Sequence, residues 1–230
     1  MKSIILKSCV GTFTAIALTI TAASCCNNTA NEGQLLQIGD DIAIAQTQYG
    51  KIQGYIYNDV YHFLGVPYGA STTGENRFMP PVAPKPWEGV LRTICYGDAA
   101  PQKSPNFDTQ NWGAFRDHWN YGLITEDCLS LNVWTPALDT KKRPVIVWLH
   151  GGGYSSGNGV EQDGYTGSNF ARTQDAVFCS VNHRLNCFGY TDFASVGGEK
   201  YKHSGNVGML DIIAALQWVH DTIAQFGGDP

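Results

Sequence analysis

The sequence predicts an α/β fold with a mixed β-sheet, and three observations support this prediction. Near the start of the chain, apolar and polar residues alternate, which indicates antiparallel strands. Two later runs are almost entirely apolar, as in strands that are covered on both faces: Val145–Leu149 and Ala176–Val181. After them, apolar residues recur at helical spacing from Val207 to Phe226. Antiparallel strands that lead into buried strands and a helix predict one domain with a mixed sheet.

The composition is that of a folded, secreted or cell-surface protein. Of the 230 residues, 43% are hydrophobic, which is enough to form a core, and only 15% are charged. These figures exclude collagen, coiled coils and proteins with several membrane spans. The net charge is −5 and there is no basic cluster, so we expect no nucleic-acid partner.

Residues 1–24 are typical of an export signal. A short basic start precedes an uncharged run from Ser8 to Ser24 that is rich in Ala, Ile, Leu and Thr. Small residues then precede Cys25, as in a bacterial lipoprotein signal. We therefore expect export to the cell envelope with a lipid anchor at Cys25. Two alternatives stay open, namely lipidation at Cys26 or a plain secretory signal that is cut near Ser24.

The first half of the predicted domain contains short strands and irregular segments. Residues 25–41 are mostly polar and are interpreted as a tether, which places the domain at residues 42–230. Residues 42–48 and 51–56 flank Tyr49-Gly50 and predict a β-hairpin, the small N-terminal antiparallel sheet of the fold. Three later segments predict, in order, a strand, a Pro-rich coil and a long loop: 60–67, 77–87 and 99–125.

The second half contains the buried strands and the helix. Leu129–Trp134 predicts a strand that precedes the two apolar runs. Gly227 follows the helix as the residue that ends it, and Pro230 lies just beyond. The helix has an apolar stripe, as a helix packed on a core requires, at positions 209, 212, 213, 216, 219, 223 and 226.

The Val145–Leu149 strand is followed directly by His150 and then by three consecutive glycines, Gly151, Gly152 and Gly153. Because glycine has no Cβ, backbone N–H groups in such a loop can approach a ligand closely. N–H groups that point at one place form an oxyanion hole, and an HGGG loop makes this contribution in lipases and esterases. The alternative interpretation is a plain flexible glycine loop.

The segment Gly153-Tyr154-Ser155-Ser156-Gly157 also matches G-x-S-x-G, the pattern of a nucleophile elbow. An elbow requires a strand before it and a helix directly after it. Residues 158–164 have no helical period, and the match overlaps the glycine loop. We therefore do not expect Ser155 to be a nucleophile.

Several sequence blocks, in the same order, resemble the type-B carboxylesterase family, which includes the cholinesterases. The most specific block is Glu126-Asp127-Cys128-Leu129-Ser130-Leu131-Asn132-Val133-Trp134, which is similar to the E-D-C-L-x-L-N signature of the family. The other blocks extend the resemblance over almost the whole domain: residues 49–54, 63–69, 77–78, 86–87, 150–153, 182–185 and 215–219.

This resemblance implies an α/β-hydrolase fold and ester hydrolysis by a Ser-His-acid triad. By similarity, the catalytic groups within this chain are the backbone N–H groups of Gly152 and Gly153, as oxyanion donors. The third donor in the family comes from the residue after the nucleophile. That nucleophile follows the F-G-G-D-P segment, which here is residues 226–230, and the acid and the histidine lie farther on. We therefore expect a partial domain, truncated before the nucleophile elbow and inactive by itself.

The cysteines and histidines of the predicted domain show no metal-binding spacing. There is no C-x-x-C and no H-x-x-x-H, so we expect neither a metal nor a cofactor. The family often pairs a cysteine with the one at Cys128, but Ala100 stands where that partner is usual, before Pro101-Gln102. Cys95 lies five residues earlier, which leaves a Cys95–Cys128 disulfide open.

Two ion pairs are also implied by the resemblance. Arg77 is expected to pair with Glu126, and Arg184 with Asp211, because a guanidinium binds a carboxylate through two hydrogen bonds. Three positions near Arg184 depart from the family, which usually has Tyr, Gly and Val there: His183, Asn186 and Cys187.

Three interpretations of function follow. The first is the N-terminal portion of an exported serine carboxylesterase that acts on a small-molecule ester. The second is a non-catalytic surface binding protein on the same scaffold, and the third is a non-functional fragment. The intact Gly152-Gly153 pair favours the first, because a binding protein has no need of an oxyanion hole.

Overall fold

Residues 35–103 and 122–230 are described by the structure, a computed structural model. Within these residues there are nine strands: β1 (Leu36–Gln37), β2 (Ile44–Thr47), β3 (Gly50–Gln53), β4 (Tyr55–Tyr57), β5 (Val60–Pro67), β6 (Val90–Arg92), β7 (Ser130–Thr135), β8 (Val145–Leu149) and β9 (Val177–Val181). The same residues contain four α-helices: α1 (Ser168–Gln174), α2 (Asn186–Tyr190), α3 (Ala194–Gly197) and α4 (Val207–Thr222). Short 3-10 turns complete them: Gly74–Asn76, Asp163–Tyr165, Glu199–Tyr201, Ser204–Asn206 and Ile223–Phe226.

The predicted signal, Cys25 and most of the predicted tether and of the 99–125 loop lie outside the described residues. None of the described helices is long and apolar enough to cross a membrane.

The larger sheet has six strands in the order β1-β4-β5-β7-β9-β8. All neighbours are antiparallel except β8 and β9, which are parallel, so the predicted mixed sheet is confirmed. Strand β9 is buried along its whole length between β7 and β8, as its apolar sequence requires. Strand β8 has β9 as its only neighbour in the described sheet, and Ile146 and Leu149 remain exposed.

The smaller sheet has the order β2-β3-β6. Strands β2 and β3 form the predicted antiparallel hairpin, and β6, which the sequence analysis does not assign, adds a parallel third strand. The second arm of the hairpin was expected to continue to Ile56, but it ends at Gln53, and β4 joins the larger sheet instead. The chain changes sheets at Gly54, where a Cβ would lie 2.0 Å from the His62 carbonyl oxygen, so only glycine allows this approach.

The C-terminal helix α4 and its 3-10 extension match the predicted range, and Gly227 ends them with a φ of 74°. The predicted stripe is confirmed in part, because Ile212, Val219, Ile223 and Phe226 are buried. The core side includes Asp211, Ala215, Trp218 and Thr222, whereas the apolar residues Ile213 and Leu216 are exposed. The helix therefore has two apolar faces, and the described residues cover only one of them.

Both expected ion pairs are present. Arg184 binds Asp211 through Nε–Oδ2 (2.8 Å) and Nη2–Oδ1 (2.6 Å), and both side chains are buried. Burial raises the pKa of Asp211, and the hydrogen bonds from Arg184 oppose that rise. Arg77 binds Glu126 through two contacts of 2.5 Å at a more exposed position. The buried pair ties the segment before α2 to α4.

Candidate functional site

The glycine loop begins where β8 ends. His150 is buried, whereas Gly151 to Ser155 are exposed. A tight turn closes the loop, because the N–H groups of Ser155 and Ser156 both donate to the Gly152 carbonyl oxygen, at 3.1 and 3.3 Å. The position after a strand of the larger sheet agrees with the sequence analysis.

Two positions of this loop require glycine. Gly152 has a φ of 114°, and a Cβ there would lie 1.9 Å from the Ser156 carbonyl oxygen. Gly157 has a φ of 107°, and a Cβ there would lie 2.5 Å from His150 Nδ1. A residue with a side chain would strain the backbone and collide with the turn at both positions. These contacts favour one backbone conformation at Gly152 and Gly157 over a plain flexible loop.

The backbone N–H groups of Gly152 and Gly153 do not donate a hydrogen bond to any residue of the described part of the chain. The Gly152 carbonyl is held by the turn, and in a planar trans peptide the N–H points away from the carbonyl. The Gly153 N–H is therefore directed away from the turn. Two exposed N–H groups on adjacent glycines can bind a negatively charged oxygen.

Side chains from other segments hold the base of the loop. Gln102 binds both backbone groups of Gly157: its Oε1 accepts from the N–H at 2.7 Å and its Nε2 donates to the carbonyl at 2.9 Å. Asn182 accepts from the Gly159 N–H at 2.7 Å and donates to the Asp98 carbonyl oxygen at 3.1 Å. No role for Gln102 is predicted by the sequence, in which it follows Pro101.

Two histidines lie beneath the loop. The rings of His150 and His183 are stacked, with centroids 4.8 Å apart and planes 15° apart. His150 Nδ1 lies 2.7 Å from the Gly151 carbonyl oxygen, and His183 Nδ1 lies 3.0 Å from that of Arg184. Burial lowers the pKa of His150 to about 4 and also lowers that of His183. Both imidazoles are therefore neutral at pH 7.

Helix α2 supports the exposed side of the loop. The Asn186 N–H donates to the Tyr154 carbonyl oxygen at 2.7 Å, and the rings of Tyr154 and Tyr190 lie 5.1 Å apart. Asn186 has a φ of 46°, a left-handed conformation that glycine and asparagine adopt most readily. This conformation explains why asparagine can replace the glycine that is usual in the resembling family.

A cavity of about 370 Å³ lies beside the loop. His150, Tyr154 and His183 form one side of it, and Met209 and Ile212 of α4 form another. The cavity therefore connects the glycine loop with the part of α4 that leads to its exposed apolar face.

Ser155 does not occupy a nucleophile elbow. It is exposed in the turn, and its Oγ lies 3.3 Å from the Gly153 carbonyl oxygen. A 3-10 turn at Asp163–Tyr165 is the next element, and the first α-helix after Ser155 begins only at Ser168. The strand–turn–helix geometry that exposes a nucleophilic serine is absent here.

Neither a metal cluster nor a disulfide occurs among the described residues. Within 35–103 and 122–230, no three His, Cys, Asp or Glu side chains are grouped to hold a metal ion. Cys95 and Cys187 are exposed free thiols, and Cys128 and Cys179 are buried free thiols. The Cys95–Cys128 disulfide that the sequence left open is not formed. Burial raises the pKa of both Cys128 and Cys179 to about 12, so these thiols are protonated at neutral pH.

Comparison with known proteins identifies similar sequences among esterases and related hydrolases. A family model described as the carboxylesterase family matches residues 41–230. The chain is 39% identical over 187 residues to para-nitrobenzyl esterase of Bacillus subtilis and 38% identical to phenmedipham hydrolase of Pseudarthrobacter oxydans. Both matches cover 81% of this chain, but only 36% and 35% of those proteins.

Solved structures agree. The carboxylesterase EST55 of Geobacillus stearothermophilus superimposes with a TM-score of 0.72 at 38% identity, over 82% of this chain and 36% of that one. An esterase of Clostridium hathewayi, described as able to hydrolyse aliphatic aromatic polyesters, superimposes with a TM-score of 0.76 at 41% identity. That match covers 84% of this chain and 37% of that one. The chain thus spans little more than a third of the length of these relatives.

Proposed function

The chain belongs to the carboxylesterase family, and we propose that it is the N-terminal part of an exported serine ester hydrolase. In this proposal the chain supplies two oxyanion donors, the N–H groups of Gly152 and Gly153, and none of the Ser-His-acid triad. The substrate would be a small-molecule carboxylic ester, the class to which the names of the relatives point.

The observation that carries the proposal is the geometry of the glycine loop. Two adjacent N–H groups lack acceptors within the described residues, and contacts at Gly152 and Gly157 specify the backbone that presents them. When a nucleophile attacks an ester carbonyl, the carbonyl oxygen gains negative charge in the tetrahedral intermediate. Fixed N–H donors stabilise that charge without reorganising during the reaction, and one such donor is worth about 10²–10³-fold in kcat.

The open edge of the larger sheet supports the assignment to a longer hydrolase. Strand β8 pairs only with β9 among the described residues, so its other edge is open, and the side chains of Ile146 and Leu149 are exposed. Just before β8, Arg143 forms a parallel bridge with Gly228, so the segment that follows α4 starts to run beside β8. A strand that continued in this direction would end next to the glycine loop. In this family's fold, the nucleophile lies at the end of such a strand.

Export and lipid anchorage are a further part of the proposal. The basic start, the uncharged run of residues 8–24 and the small residues before Cys25 support them. A lipid-anchored hydrolase would act at the cell envelope, on esters outside the cytoplasm.

The experiment that tests this function reads and expresses the coding sequence beyond codon 230. We expect a G-x-S-x-G elbow about nine residues after Pro230, followed by an acid and a histidine. The extended chain should hydrolyse para-nitrophenyl esters, and replacing its elbow serine with alanine should lower kcat by several orders of magnitude. A reading frame that continues without these residues, or a folded extended chain without esterase activity, would contradict the proposal.

A further inference from the structure

The peptide group between Gly151 and Gly152 has a fixed direction because a side chain holds its carbonyl. His150 Nδ1 lies 2.7 Å from the Gly151 carbonyl oxygen. A carbonyl oxygen can only accept, so Nδ1 carries the proton and donates. The described peptide bonds are all trans, and in a trans peptide the C=O and the N–H point in opposite directions. The bond from His150 therefore directs the Gly152 N–H away from the imidazole.

We propose that His150 is the positioning residue for the Gly152 N–H, and that His183 holds the His150 ring in the required orientation. The inference rests on the proposed function, in which this N–H is one of the oxyanion donors. It assigns to the two side chains a role that does not involve contact with the substrate.

The stacked ring of His183 restricts rotation of His150. The two planes differ by only 15° at a centroid distance of 4.8 Å, so the His150 ring cannot turn without losing this contact. His183 is itself fixed, because its Nδ1 donates to the Arg184 carbonyl oxygen at 3.0 Å. Arg184 is buried in the bidentate ion pair with Asp211. Rigid contacts thus run from the buried ion pair to the peptide of the oxyanion loop.

Gly157 provides the space for this arrangement. A Cβ at this position would lie 2.5 Å from His150 Nδ1 and 2.6 Å from the Gly151 carbonyl oxygen. Any side chain at position 157 would collide with both atoms of this hydrogen bond. Gln102 holds the backbone of Gly157 on both of its polar groups, which keeps the space constant.

The positions of the ring atoms allow a matched set of variants. An asparagine at position 150 can place its Nδ2 near the position of Nδ1, and so can donate to the Gly151 carbonyl. A glutamine reaches instead toward the position of Nε2, and an alanine donates nothing. If His150 acts by this one hydrogen bond, His150→Asn preserves the loop, whereas His150→Gln and His150→Ala do not.

The test is nitrogen-15 NMR on the labelled chain in dilute solution. In the unmodified protein, the ring nitrogen shifts should show His150 protonated at Nδ1. The Gly152 amide should give one sharp signal that is lost or broadened in the alanine and glutamine variants and restored in the asparagine variant. The Gly65 amide, which donates to Asn132 Oδ1 at 2.9 Å in another part of the sheet, reports whether each variant is folded.

Two results would overturn the inference. One is a His150 ring protonated only at Nε2 in the unmodified chain. This measurement does not depend on whether any variant folds. The other is an unchanged Gly152 signal in His150→Ala with an intact Gly65 signal. Loss of ester hydrolysis in an extended chain would count against the proposed function but would leave these signals unaffected, so the two failures are distinguishable.

His183 is tested in the same way. His183→Phe keeps a flat ring against His150, so the Gly152 signal should be preserved. His183→Ala removes the ring, and the Gly152 signal should broaden. A sharp, unshifted Gly152 signal in His183→Ala would show that His183 does not hold the His150 ring in place, whatever the result for His150.

Discussion

Arg143 and Gly228 form a parallel β-bridge at the open edge of the larger sheet. The Arg143 N–H donates to the Gly227 carbonyl at 2.8 Å, and its own carbonyl accepts from the Asp229 N–H at 2.9 Å. The Arg143 side chain is buried and bound to Asp139 and Asp175, which fixes the position of this bridge. The chain after α4 is therefore aligned with β8 before Pro230 is reached.

The open edge of β8 should cause self-association of this chain. Unpaired N–H and C=O groups on an apolar edge strand are a template for pairing with another molecule. We expect the apparent mass in analytical ultracentrifugation to rise with concentration. Ile146→Lys, on the exposed edge, should reduce this rise, whereas Val196→Lys, at an exposed apolar position away from the sheet, should not. A monomer at all concentrations, or equal effects of the two variants, would contradict this expectation.

Breaking the buried Arg184–Asp211 pair should be strongly destabilising. Asp211→Ala leaves the Arg184 guanidinium buried without a carboxylate, which typically costs about 3–5 kcal/mol. Urea denaturation should show this decrease in the free energy of unfolding. The matched control is Glu126→Ala, which leaves Arg77 partly exposed to water and should cost much less. Equal losses of unfolding free energy in the two variants would show that burial does not determine how much an ion pair contributes to stability.

Two neighbouring glycines should respond differently to substitution by alanine. Gly152→Ala places a Cβ 1.9 Å from the Ser156 carbonyl oxygen at a φ of 114°, and such strain costs about 1–3 kcal/mol. Gly151→Ala meets no atom within 4 Å and should change the free energy of unfolding by less than about 0.5 kcal/mol. The urea midpoints of the two variants check this. A destabilised Gly151→Ala would mean that the loop conformation differs from the one described.

Acid should destabilise the protein through buried histidines. Burial lowers the pKa of His62 from 6.5 to about 4, and its Nδ1 accepts from Trp134 Nε1 at 3.1 Å. Between pH 6.5 and 4 the unfolded chain binds protons that the folded chain does not, so the free energy of unfolding falls as the pH falls. Urea denaturation from pH 7 to pH 4.5 should show this fall. His62→Asn cannot titrate there and should make it shallower, while a pH-independent wild type would refute the expectation.

Much of the fold could be predicted because local sequence decides it. The apolar runs predict the strands β8 and β9, of which β9 is buried along its whole length among the described residues and β8 is not. Gly227 ends the C-terminal helix as its conformational freedom suggests. Strand β6 could not be predicted, since all three of its residues are exposed and only its pairing with β3 defines it. The buried face of α4 was predicted only in part, because tertiary contacts bury Ile212 and Val219 of the predicted stripe but leave Ile213 and Leu216 exposed.

Of the candidate site, only the glycine loop could be predicted from the sequence. Consecutive glycines after an apolar strand indicate the loop, because at Gly152 a side chain would strain the backbone and collide with the turn. The supporting side chains could not be found in this way. Gln102 lies 55 residues from Gly157, which it clamps, and the stack of His150 on His183 joins separate segments. Such long-range contacts leave no periodic pattern in one sequence.

A fluorophosphonate, a reagent that reacts with activated serines, can show whether the purified 230-residue chain carries a nucleophile. We propose that this chain presents an oxyanion loop but no nucleophile, so mass spectrometry should show no stoichiometric adduct. An intact bacterial carboxylesterase under the same conditions is the positive control. A stoichiometric adduct at Ser155 that disappears in Ser155→Ala would contradict the account.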